Sequence, residues 1–82
     1  VDQRRAAHVL MGPIKRSVTI AGHETSISLE PVFWDALKRA ATEEAIPVNA
    51  LVARIDADRI TAPRPANLGS HIRVWLYRRA TG

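Results

Sequence analysis

Two short runs near the start of the chain alternate apolar and polar side chains, "RSVTI" at 16–20 and "TSISL" at 25–29. Successive strand side chains project to opposite faces. Val18, Ile20, Ile27 and Leu29 therefore share one face, and Lys15, Ser17, Thr19, Ser26 and Ser28 share the other. Between the runs lies "AGHE", where Gly22 is free to take a left-handed conformation. The runs agree in parity about one turn, so the pattern predicts a β-hairpin. In it Ile20 stands opposite Thr25, Val18 opposite Ile27, and Arg16 opposite Leu29. Hydroxyls occupy the polar face, where long charged side chains are usual on a surface strand. That substitution suggests a face meant to be read by a partner.

Helical spacing takes over at Pro31, a residue suited to the first helical position because its missing N–H has no partner there. "PVFWDALKRAATEEA" at 31–45 spaces Phe33, Leu37, Ala40 and Ala41 along one stripe, widened by Trp34 and Ala45. Lys38, Arg39, Glu43 and Glu44 fall largely outside it, and Ile46-Pro47 breaks the helix. A second helix over 48–60 aligns Val48, Leu51, Val52, Ile55 and Arg59 on one side, with Asn49 a candidate cap within its first turn. So short a connection makes a helix-turn-helix-like pair. Pro63 and Pro65 mark 61–67 as a linker. Asn67 then caps a third helix over 68–79, with Leu68, Ile72, Trp75 and Leu76 on its apolar side and Arg73, Arg78 and Arg79 facing elsewhere. The cationic end suits the negative helix C-terminus. At the other end, 1–14 reads as an arm with adjacent Arg4 and Arg5 and a Gly12-Pro13 breaker. It is open among a plain tail, a basic arm on phosphates, and a segment clasping a second subunit.

Size and charge narrow the function. A chain of 82 residues makes one small domain, which alone buries about 60% of its unfolded surface. Domains this small without disulfides or metals often complete their core by oligomerising. There is no cysteine, so a disulfide framework and a Cys-based zinc site are excluded, and a reducing, cytoplasmic interior fits. No apolar run approaches the roughly 20 residues that span a bilayer. "AAHVLMGPI" is too short and too early for a signal peptide, and a first residue of Val suggests a piece of a longer chain. Twelve Lys and Arg against eight Asp and Glu give a formal charge of +4, which favours a polyanionic partner.

Catalytic chemistry finds little support. His8, His23 and His71 lack ligand spacing, so no metal site is expected. Asp56 and Asp58 are two apart on a helix and point away from each other. Ser17, Ser26 and Ser28 have no activating base, and no Gly-rich phosphate loop is present. The reading is a non-enzyme without a cofactor. Trp34 and Trp75 belong to a core or a subunit interface, the alternative being that Trp75 and Tyr77 form a partner surface on the third helix.

Strand, helix, tight turn and helix in a basic chain this small resemble the ribbon-helix-helix family of bacterial DNA-binding repressors. The stretch that carries the likeness is "TSISLEPVFWDALKRAATEEAIPVNALVARI", 25 to 55. "KRSVTIAGHETSISLEPVFWDAL", "NALVARID" and "NLGSHIRVWL" look like its small alphaproteobacterial branch, and the likeness spans roughly 15 to 79. The resemblance implies an α+β homodimer, with 15–60 as the core and 68–82 packing on the dimer as a C-terminal helix. Two copies would pair antiparallel through 25–29, burying Ile27, Leu29, Phe33, Trp34, Leu37, Leu51 and Ile55 between them. Double-stranded DNA would be read in the major groove by the outward residues Glu24, Ser26 and Ser28, extended by Lys15, Ser17 and Thr19. The amides opening the second helix, around Pro47, Val48 and Asn49, would hold a phosphate. Dimers pairing into tetramers are left open. The implied function is a sequence-specific transcriptional regulator. The alternative is an antitoxin-like interaction module that takes a protein partner through the C-terminal helix and binds DNA weakly or not at all.

Overall fold

The computed structural model of the protein describes residues 12–82. Most of the expected N-terminal arm, 1–11, lies outside the described residues. Strand β1 (Ile14–Ile20) and strand β2 (His23–Leu29) form an antiparallel hairpin. Helices α1 (Pro31–Glu43), α2 (Val48–Ile60) and α3 (Leu68–Thr81) follow and cover its apolar face. This is the expected α+β ribbon-helix-helix fold.

Both strands are longer than the alternating runs, and the register differs from expectation. Ile20 pairs with His23, Val18 with Thr25, Arg16 with Ile27 and Ile14 with Leu29. The turn is two residues rather than four, because Ala21 and Gly22 both take positive φ, at 50° and 82°. That is the mark of a type I′ turn, whose twist matches the flanking strands. A shift of two residues leaves every side chain on its predicted face, whereas a shift of one would have inverted the hairpin.

α1 stops at Glu43, two residues short of expectation, because Ala45 flips to a φ of 57°. The Ile46 amide then bonds the Ala41 carbonyl at 3.0 Å and the Ala45 amide the Thr42 carbonyl at 3.1 Å. These two bonds make a Schellman stop, with alanine where glycine is usual. Ala45 is consequently exposed and does not widen the apolar stripe. α3 begins as expected, the Asn67 Oδ1 accepting from the Ser70 amide at 2.8 Å.

One core joins all five elements. Val18, Ile27 and Leu29 from the hairpin meet Trp34, Leu37, Ala40 and Ala41 of α1, Leu51, Val52 and Ile55 of α2, and Ile72 and Leu76 of α3. Trp34 is buried while Phe33 is half-buried, so the α1 stripe centres one residue later than its spacing suggested. The Trp34 indole donates to the Ile14 carbonyl at 2.9 Å, tying α1 to the start of the hairpin. Six residues expected between two copies, namely Ile27, Leu29, Trp34, Leu37, Leu51 and Ile55, are at most 3% exposed within a single chain. Phe33 packs partly against the same core.

Deleting side-chain volume at the centre should be costly. Ile55→Ala is expected to lower the free energy of unfolding by about 2–5 kcal/mol in urea titrations. Ala21→Asn, which creates the Asn-Gly pair favoured by a type I′ turn, should raise it by about 0.5–1 kcal/mol.

Candidate nucleic-acid interface

The alternation along the hairpin leaves one face fully outward. Lys15, Ser17 and Thr19 of β1 and Glu24, Ser26 and Ser28 of β2 are all exposed. Their register sets Lys15 beside Ser28, Ser17 beside Ser26 and Thr19 beside Glu24. All six residues expected to read DNA therefore lie together in three cross-strand rows. The face is short-chained and rich in hydroxyls, which donate and accept, with one cation and one carboxylate at diagonal corners. A two-stranded ribbon with such a face has the breadth of the B-DNA major groove, about 12 Å. Arg16 lies on the opposite face by parity, yet it is exposed, with its guanidinium 5.4 Å from the Trp34 ring centre. It adds a cation at the ribbon's flank that strand alternation concealed.

The start of α2 stands against this ribbon. Pro47 is its N-cap residue and offers no side-chain cap. Asn49 does not cap the helix as the sequence suggested; its Oδ1 accepts from the Thr19 amide at 3.3 Å. That bond brings the opening turn of α2 to the outer edge of β1. Half-buried Val48 and exposed Asn49 and Ala50 hold their amides in the turn where helical N–H groups lack intrahelical acceptors and the helix dipole is positive. Both predicted phosphate-site residues, Val48 and Asn49, thus sit beside the hydroxyl-rich face.

The outer edge of β2 meets α3. Arg73 donates from Nε to Glu30 Oε1 at 2.8 Å and from Nη2 to the Ser28 carbonyl at 3.2 Å. Its guanidinium also lies 5.8 Å from the Phe33 ring centre. Arg73 was expected to lie off the apolar side of its helix. Nothing local in the sequence signals its role, because its partners are 43 and 45 residues away. The hydrogen bond from Arg73 holds the Glu30 carboxyl below its ordinary value of 4.5. Gly69 lets the helix backbone come close: a Cβ there would stand 3.3 Å from the Ser28 carbonyl oxygen. An open groove of about 400 Å³ runs between this helix start and the strand, lined by Ser26, Ile27, Ser28, Asn67, Leu68, Gly69 and Arg73.

Elsewhere polar side chains pair within and between the helices. Arg79 joins Glu43 and Glu44, both at 3.2 Å, Arg59 joins Asp56 at 2.8 Å, and His71 meets Asp58 at 3.0 Å. Asp56 and Asp58 thus serve different partners. Among the described residues no cluster of three His, Cys, Asp or Glu could hold a metal, and no helix is long and apolar enough to cross a membrane.

A two-stranded ribbon with one polar face, backed by three helices, defines a small α+β domain. The chain belongs to the ribbon-helix-helix domain family, whose model matches residues 13–80. Among solved structures it is similar to an uncharacterized protein from Bordetella pertussis Tohama I. The two share 25% identity with a TM-score of 0.70, over 99% of this chain and 70% of that one. A comparison with curated proteins finds no match.

The Glu30–Arg73 pair gives a pH test. A carboxyl whose value is lowered by folding stabilises the fold above its ordinary value, and that support is lost as pH falls through the lowered value. Glu30→Gln should melt below wild type at about pH 7, and the gap should close as pH falls below the ordinary carboxylate range, as read by thermal unfolding.

Proposed function

We propose that this chain is a homodimeric, sequence-specific DNA-binding transcriptional regulator of the ribbon-helix-helix type, non-enzymatic and cytoplasmic. The observation that carries the reading is the two-sidedness of the hairpin. Its apolar face is closed by three helices, while Lys15, Ser17, Thr19, Glu24, Ser26 and Ser28 form a continuous exposed face. Family membership supports the class, and the formal charge of +4 supports a polyanionic partner.

In the bound state the ribbon lies in the major groove. Hydroxyls of Ser17, Thr19, Ser26 and Ser28 meet base edges, and Glu24 accepts from a cytosine amino group. Amides at Val48 and Asn49 hold a backbone phosphate beside the groove and fix the register of the ribbon. Lys15 and Arg16 add contacts that strengthen binding without selecting sequence. Two copies would pair antiparallel through 25–29 about a twofold axis and so bind a site of matching twofold symmetry.

A protein-interaction role for α3 has one observation in its favour. Val74 and Tyr77, one turn apart, are 47% and 68% exposed. Salt separates the two readings. Phosphate contacts make affinity fall steeply as salt rises, whereas an apolar contact barely responds.

In gel-shift titrations with a random-sequence duplex pool, wild type should bind and weaken steeply with added salt. Ser26→Glu with Ser28→Glu should reduce that binding about 100-fold or more while leaving oligomeric state unchanged. Unaltered binding by the double variant would remove the ribbon as the reading element.

A further inference from the structure

The fold leaves one acid unused, and it stands on the outward face of the ribbon. Glu30, Asp35, Glu43, Glu44, Asp56 and Asp58 each engage another group. Glu24, among the described residues, has no hydrogen bond or ion pair, and it is exposed beside Thr19. The cation of the same face, Lys15, lies two rows away, and the two do not pair. The row that holds Glu24 is also the one tied to the start of α2, because the Thr19 amide bonds Asn49 Oδ1 at 3.3 Å.

The chemistry of this face is uneven. Ser17, Thr19, Ser26 and Ser28 carry hydroxyls, which donate or accept and so suit most base edges. An ionised Glu24 only accepts. A carboxylate carried into the groove of a polyanion is repelled by phosphates and loses its water, and only a donor on a base edge offsets that cost. Cytosine offers such a donor at N4. Adenine offers one at N6, but its N7 acceptor lies alongside and opposes a carboxylate. Guanine and thymine turn acceptors outward.

We propose that Glu24 is a rejection filter: it weakens binding to most sequences and confines tight binding to sites that place a cytosine against it. The proposal rests on the DNA-reading face proposed above and adds which residue sets the sequence, and with what sign. Specificity is a difference between affinities, and repelling wrong partners creates it as surely as attracting the right one. A chain with a formal charge of +4 is drawn to any duplex. An unpaired acid on the contact face separates one duplex from another. Two copies paired through 25–29 carry Glu24 to twofold-related positions, so the filter acts once in each half-site.

The test uses the full chain as wild type, Glu24→Ala and Glu24→Gln, with thermal melts to confirm that each folds. Sites are selected from the random-sequence duplex pool. Affinities are then measured by fluorescence anisotropy on the selected site, on that site with the cytosine replaced, and on the unselected pool. Wild type should enrich cytosine at one position in each half-site, and replacing it should weaken binding about tenfold. Glu24→Ala should lose that preference while keeping the others, and should bind the unselected pool about threefold more tightly, the scale of one exposed charge contact. Glu24→Gln should shift the preference to adenine, whose N6 and N7 suit a carboxamide. A cytosine preference that survives Glu24→Ala overturns the filter, as does weaker binding of Glu24→Ala to every duplex. A wild type that selects no motif overturns the sequence-reading face and the filter together, whereas a motif indifferent to Glu24 overturns the filter alone.

Discussion

The structure depends on burying one face of a two-stranded ribbon. Val18, Ile27 and Leu29 sit against Leu51, Ile55 and Ile72, and Leu29, Leu51, Ile55 and Ile72 retain no exposure. A hairpin by itself is marginal in water, so the seating of these side chains holds the strands in place. It also fixes the register, because a one-residue slip would carry the whole apolar set into solvent. Everything offered to a partner follows from that choice: the apolar set goes in, and the hydroxyls come out.

The same ribbon shows what was legible in the sequence. Period-two alternation on both sides of Gly22 placed Lys15, Ser17, Thr19, Ser26 and Ser28 outward, and the family resemblance added Glu24; all six are exposed, since faces depend on parity and not on turn length. Turn length itself was missed because Ala21 gives no sign of accepting a φ of 50°. Helical spacing found α2 and the cap at Asn67. It overran α1 because the stop uses Ala45 in a conformation that usually advertises itself with glycine. Non-local contacts were not readable. Asn49 looked like a cap and is a strand contact, and Arg73, read only as lying off the apolar side of its helix, bonds Ser28 and Glu30.

The burial of expected interface residues within one chain has the same origin. Ribbon-helix-helix reasoning from 25–55 alone leaves the apolar side of a single strand uncovered, which calls for a second copy. Here β1 supplies the neighbouring strand and α3 supplies additional cover. The hydroxyl-rich face is complete within a single chain.

Whether the outward ribbon face is what touches DNA is most directly decided by nuclear magnetic resonance. Backbone amide signals of the full chain would be followed while the random-sequence duplex pool is added. Shifts should concentrate at Ser17, Thr19, Ser26 and Ser28 and at Val48 and Asn49, with Val74 and Tyr77 unmoved. Shifts confined to α3, with the ribbon silent, would contradict the assignment of the hairpin as the reading surface.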